Sequence, residues 1–202
     1  MDALKVIAGT DTPDQPNQAG LRRAEREAVS AYTGGSFRTI NEYVANGNQP
    51  PAHAADDKDY AHQMRQQARA LERAVNRSRL DAPATATRAI HPDTAERVYG
   101  PIGSQIGQTI TEPRFTSTTK GDTPLDGFGN VTIHYDLAAG TKALDVNASG
   151  VPCKQDENEL LLGPHQPFRV TSDQIVNGRR VLHMTNADNA PATAGRDTTL
   201  RK

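Results

Sequence analysis

The stretch QDENELLLGP, Gln155 to Pro164, sets two carboxylates beside a run of three leucines. Leu160, Leu161 and Leu162 read as a strand buried on both faces. A strand start is rigid, and side chains along a strand alternate with period two, so Glu157 and Glu159 are expected to point the same way. Carboxylates held in this manner can stabilise a developing positive charge or take a proton. Two further polar residues lie within short apolar or β-branched runs: Arg88 in TATRAI and Ser117 at the centre of FTSTT. Each feature alone has a commonplace reading. An arginine in a short strand pairs across an edge, a Ser/Thr-rich strand has good β propensity, and glutamates before a strand form a solvated loop. Their order, spacing and local contexts together carry the argument.

The elements that must position them divide into helices first and strands after. In AGLRRAEREAVSAYTGG, Leu21, Ala24, Ala28 and Tyr32 recur at helical spacing, and Gly34-Gly35 reads as the C-cap. SFRTINEYVANG repeats the pattern with Phe37, Ile40 and Val44, stopped by Gly47. From Asp59, the apolar stripe of Tyr60, Met64, Ala68, Leu71 and Val75 predicts a long helix with arginines elsewhere, capped by Asp56 or Asp57. Strands are expected at Ala84 to Ile90, Arg114 to Thr119, Asn130 to Ala138 and Lys142 to Val146, followed by ELLLG. FRVTSDQIVNGRRVLHMTN then reads as a hairpin around Asn177-Gly178. The fold class is α+β with mostly antiparallel sheets.

The chain has 202 residues, with Lys+Arg 23 against Asp+Glu 24, a net charge of -1. That length suits one domain of residues 19–187 between flexible tails at 1–18 and 188–202. The balance offers no global attraction to nucleic acid or to an anionic membrane. No run of about 18 apolar residues exists to form a transmembrane helix, and the N-terminus lacks a signal peptide's basic and apolar regions. Either export uses a route independent of a signal peptide, or Met1 opens an excised piece of a longer chain. The single Cys153 excludes an internal disulfide and a cysteine zinc site. His91, His134, His165 and His183 lack metal-ligand spacing, so no metal is expected. The arginine-rich helix has no interleaved aromatics and reads as a solvated face. There is no P-loop, dinucleotide GxGxxG or HExxH.

Arg in TATRAI, Ser-Thr-Thr in FTSTT and Glu-x-Glu before LLL together resemble the mono-ADP-ribosyltransferase toxins of the cholera-toxin-like group. That group's signature is Arg, then Ser-Thr-Ser, then Glu-x-Glu. Thr119 stands where a serine is usual and keeps the hydroxyl. AVSAYTGGSFRTINEYV is similar to the helical segment that opens the bacterial exotoxin branch, and ENELLLGPHQPFRV to that branch's glutamate, aliphatic run, Gly and F-x-V. The resemblance spans roughly Leu21 to Asn186. It implies two packed antiparallel sheets around a cleft for NAD, with the helices alongside.

Nicotinamide is already a cationic leaving group in NAD, so the barrier is positive charge on the ribose. The resemblance makes Glu159 the carboxylate beside that ribose and Ser117 the hydroxyl that holds its rotamer. Thr116 and Thr118 alternate to the other face. Glu157 would orient and deprotonate the acceptor, most simply an arginine, which is otherwise a poor nucleophile. Gln155 falls two residues too early for the asparagine-directed variant. Arg88 would grip a phosphate of NAD, the amide of Ala89 the nicotinamide carboxamide, and Phe128 would stack on the ring or pack its loop. The implied partners are NAD as substrate, a protein of another cell reached by secretion or translocation into its cytosol, and an immunity protein or chaperone. Transfer to threonine of ubiquitin or to nucleic acid, NAD glycohydrolase activity, and a non-catalytic binding module remain the alternatives.

Overall fold

The computed structural model describes residues 20–125, 127–151 and 157–187. The two expected tails, Cys153 and Gln155 lie outside these residues.

Helix α1, Arg23–Ala31, starts with half of a capping box, the Arg22 amide donating to Glu25 Oε2 at 2.8 Å. Glu25 is only 1% exposed and is also held by Arg77 Nη1 at 2.9 Å. The expected stop at Gly34-Gly35 does not occur. The chain passes through a π-turn, Tyr32–Ser36, kinked at Gly35 with φ 126°, and continues as α2, Phe37–Ala45. Glycine's freedom at positive φ serves here to bend one helix into the next, where local pattern suggested a cap. Helix α3, Lys58–Arg77, is capped by Asp57, whose Oδ1 accepts from the Tyr60 amide at 2.9 Å. Of the stripe read from sequence it buries Met64, Ala68, Leu71 and Val75, while Tyr60 is only partly buried against the same core.

Strand β1, Ala84–Ile90, has the bounds expected of its β-branched run. Helix α4, Pro92–Tyr99, was not foreseen, although Pro92 opens it and Gly100 closes it. The remaining strands are β2 Thr109–Thr111, β3 Thr116–Lys120, β4 Val131–Leu137, β5 Ala143–Asp145, β6 Glu159–Leu162, β7 Pro167–Val176 and β8 Arg179–Asn186. Asn177 (φ 51°) and Gly178 (φ 76°) make the two-residue turn between β7 and β8, the geometry of a type I′ hairpin.

The fold is α+β as expected, but the two sheets are limbs of one ladder, ordered β2-β7-β8-β4-β1-β3-β6-β5. All pairs are antiparallel except β4 with β8. The limbs join at a pinch. β1 pairs β4 along its whole length but meets β3 only at Ala86↔Lys120 and Thr87↔Thr119. Beyond Thr87 the two strands diverge, and the limbs fold onto each other.

The leucine run shows this folding. All four residues of β6 are buried. Leu161 packs in the core that α1, α2 and α3 share with Phe115 and Leu144, whereas Leu160 and Leu162 join the other core with Ile133, Tyr135 and Leu182. Alternation splits one strand between two cores, so a continuous apolar run was the correct signature of a strand covered on both sides.

Candidate active site

The divergence of β1 from β3 opens a cleft beneath α2. Its inner chamber, about 240 Å³, is lined by Tyr32, Phe37, Arg88, Ala89, Ser117, Phe128, Glu157 and Glu159, among others. An outer chamber of about 600 Å³ adjoins it through the shared residues Phe37, Asn41 and Arg88, and adds Arg38, Glu42 and Arg114. The outer chamber falls within the roughly 300 to 1,000 Å³ of small-molecule sites, and the inner one lies just below that range. All six residues singled out in the sequence thus meet at one chamber.

Glu159 is the first residue of β6 and is 5% exposed. Its backbone is fixed on both sides, the Glu159 amide donating to Asn147 Oδ1 at 3.2 Å and its carbonyl accepting from the Val146 amide at 3.1 Å. Ser117 faces Leu161 across the β3–β6 pair, and its hydroxyl donates diagonally to Glu159 Oε1 at 2.6 Å. Thr118 points the other way and donates to the Leu160 carbonyl at 2.6 Å. Burial pushes the Glu159 carboxyl above the ordinary carboxylate value; the Ser117 bond opposes this and the charge of Glu157 adds to it.

Glu157 reaches the chamber by a different route from the one expected. It precedes β6, and Asn158 between the two glutamates sits in the left-handed region with φ 45°. Strand alternation therefore does not relate the two carboxylates. A turn does, tied to β3 by the Lys120 amide donating to the Asn158 carbonyl at 3.0 Å. Asparagine tolerates that conformation better than most residues.

Arg88 stands where the two chambers meet, near the buried phenols of Tyr99 and Tyr135. Burial raises both phenols, which keeps them neutral beside the guanidinium. The Gly121 amide donates to the Thr85 carbonyl at 2.9 Å, so the odd-numbered residues of β1 aim their backbone groups at the β3 side. The β3 ladder ends at Thr87, and Ala89, two residues on, presents its amide to the cleft. Phe128, 56% exposed, stands beside it. Gly129 pins this loop down: a Cβ there would lie 2.2 Å from the Ile90 carbonyl oxygen, and its φ of 126° suits glycine alone.

The sequence reading did not single out Arg38, Asn41 and Arg114. Arg38 stacks its guanidinium 5.6 Å from the Phe37 ring centre. With Arg88, these arginines place three cations along one chamber wall, suited to a dianionic pyrophosphate. Phe37, which the sequence placed on the apolar stripe with Ile40 and Val44, is instead 42% exposed and lines this wall. Among the described residues, no three His, Cys, Asp or Glu side chains gather as metal ligands, and no helix is long and apolar enough to cross a membrane.

The sequence profile of the ADP-ribosyltransferase exoenzymes matches residues 15–189. No curated protein sequence is significantly similar to the chain. Among solved structures, the fold is similar to a C3-type ADP-ribosyltransferase of Clostridium botulinum, with a TM-score of 0.67 and 16% identity over 84% of this chain and 89% of that one. It is also similar to an ADP-ribosyltransferase toxin from Paenibacillus larvae, with a TM-score of 0.63 and 17% identity over 82% and 86%. Exoenzyme S from Pseudomonas aeruginosa, solved with human 14-3-3 protein beta and carba-NAD, gives 0.63 and 14% over 88% and 80%.

Proposed function

Because the chain belongs to the ADP-ribosyltransferase exoenzyme family, and is thus an NAD-dependent mono-ADP-ribosyltransferase, we propose that it modifies an arginine side chain of a protein in another cell, as a toxin or effector. The observation that carries this reading is the pair of carboxylates in one chamber, one of which, Glu159, is locked by a serine hydroxyl at 2.6 Å.

In this reading NAD lies across both chambers. Arg88, flanked by Arg38 and Arg114, holds the pyrophosphate, and the outer chamber takes the adenosine. The nicotinamide enters the inner chamber against Phe128, with its carboxamide on the Ala89 backbone. As the bond from C1′ to nicotinamide breaks, its electron pair leaves with the neutral ring. Positive charge grows on the ribose beside Glu159, which is fixed in place and shielded from water, where a carboxylate stabilises such charge most. A guanidinium nitrogen of the acceptor then bonds to C1′, and Glu157, nearer to solvent, takes its proton. The Ser117 bond favours the ionised form of Glu159 against the effect of burial and holds it in one rotamer. Export, entry into a target cell's cytosol, and an immunity protein or chaperone belong to the same proposal.

The test is incubation with labelled NAD and cell lysate, with mass spectrometry of the modified residue and a parallel assay of nicotinamide release. Label on arginine supports the reading. Label on another side chain or on nucleic acid moves the acceptor, nicotinamide release without label makes water the acceptor, and no release removes the chemistry altogether.

A further inference from the structure

Tyr32 and Asn41 are nine residues apart. In a regular helix that is about two and a half turns and about 13.5 Å of rise, on opposite sides. The π-turn and the kink at Gly35 fold α1 and α2 so that Asn41 Nδ2 donates to the Tyr32 hydroxyl at 3.0 Å. Both side chains then close on one backbone unit. The Phe115 amide donates to Asn41 Oδ1 at 3.0 Å, and the Phe115 carbonyl accepts from Asn41 Nδ2 at 3.2 Å and from the Tyr32 hydroxyl at 3.2 Å. Burial pushes the Tyr32 phenol far above the usual range, so it remains a neutral donor.

Phe115 immediately precedes β3. At Thr116, Ser117 and Thr118, β3 is paired to β6 alone, because its contact with β1 begins at Thr119. The segment carrying Ser117 would be a free edge there, and the helical pair grips its beginning. We propose that Tyr32 and Asn41 form a positioning clamp, folded by the glycine kink, that sets the height of β3 and so the hydrogen bond from Ser117 to Glu159. This rests on the roles given above to Ser117 and Glu159. The clamp acts through the strand and assigns Asn41 no contact with NAD.

The experiment compares Asn41→Ala and Tyr32→Phe with wild type and Ser117→Ala in nicotinamide release across pH, and follows hydrogen exchange at the Phe115 amide. Small displacements of catalytic groups cost up to about a hundredfold. The clamp predicts at least about a tenfold fall in kcat for Asn41→Ala, with KM within about twofold. The acidic limb of the pH profile moves to higher pH, as in Ser117→Ala, because Glu159 loses the bond that holds its proton affinity down. The Phe115 amide exchanges faster, and Asn41→Ala with Ser117→Ala is scarcely worse than Ser117→Ala alone. Tyr32→Phe, which keeps the ring, shifts the same quantities less and decides the matter if Asn41→Ala does not fold. A raised KM with kcat and pH limb unmoved would overturn the clamp in favour of direct NAD contact. An additive double variant with an unmoved limb would overturn it in favour of a purely structural role. If wild type releases no nicotinamide, the functional reading fails; unchanged Phe115 exchange in both variants overturns the clamp separately.

Discussion

Replacing Glu159 with glutamine isolates charge from shape. The carboxamide oxygen can still accept from the Ser117 hydroxyl that lies 2.6 Å from Oε1, and β6 keeps its backbone partners. Only the negative charge is removed. A unit charge about 4 Å from the reacting carbon, at an effective dielectric of about 20, is worth about 4 kcal/mol. At about 1.36 kcal/mol per decade that is close to a thousandfold in rate, and measured losses of a single electrostatic stabiliser run from about a hundredfold upward. Nicotinamide release and protein labelling should therefore both fall by about a hundredfold to a thousandfold. Stability should move the other way. Burial raises the Glu159 pKa above its unfolded value, so the folded chain keeps the proton to higher pH. The stability tied to that proton is complete below the unfolded pKa and is lost as pH rises through the folded one. Glu159→Gln escapes that loss. By thermal denaturation it should melt above wild type at about pH 7, with the gap closing toward about pH 4, near the ordinary glutamate pKa. A variant that keeps more than half of wild-type hydrolysis would refute the catalytic assignment. One that melts below wild type at neutral pH would refute the account of the buried charge.

Glu157→Gln should keep NAD hydrolysis and lose protein labelling, so the ratio of transfer to hydrolysis collapses; equal loss of both would end the division between donor and acceptor carboxylates. Ser117→Ala removes a hydrogen bond to a charged group, worth about 1.5–3 kcal/mol. Turnover should fall by roughly tenfold to a hundredfold, and the acidic limb of the rate profile should shift to higher pH; an unmoved limb counts against it. Arg88→Lys replaces a planar fork with a point charge, and calorimetry should show weaker NAD binding; unchanged affinity would reject the phosphate role.

Where local chemistry decided the structure, the sequence was enough. The β-branched run from Ala84 to Ile90, the apolar stripe of α3 and the Asn177-Gly178 turn each carry their own signal, and each took the expected form. Where distant parts of the chain decided it, the sequence misled. Gly34-Gly35 has the composition of a helix end, yet packing of Tyr32 and Asn41 on Phe115 makes it a bend inside a continuing helix. Asn158 hides a left-handed turn inside what looked like strand alternation. The three residues of β2 form a strand only because β7 lies beside them. The same division holds at the site. Glu159 and Ser117 sit on strands with strong local patterns, but it was the family resemblance that implied their meeting, since local pattern does not say that β3 pairs with β6. Arg38 and Arg114 line the outer chamber only because α2 folds over the segment that precedes β3.

The pinch between β1 and β3 explains why these strands carry chemistry. A ladder complete from Ala84 to Ile90 would satisfy more backbone groups, but it would leave no gap between Arg88 and Ser117. Two paired positions are enough to hold the limbs together. Past them the strands separate, and the hydrogen-bonding capacity left on the β1 edge at Ala89 becomes available to a ligand. On the β3 edge the Tyr32–Asn41 pair takes up the Phe115 backbone groups instead. Gly129 permits the loop after β3 to cross the end of β1 at backbone contact, which sets Phe128 at the mouth of the gap. A kinked helix, a glycine contact and a left-handed asparagine are each unfavourable by local propensity. Each adjoins a residue that lines the gap between β1 and β3, and departures from local preference are common at functional sites.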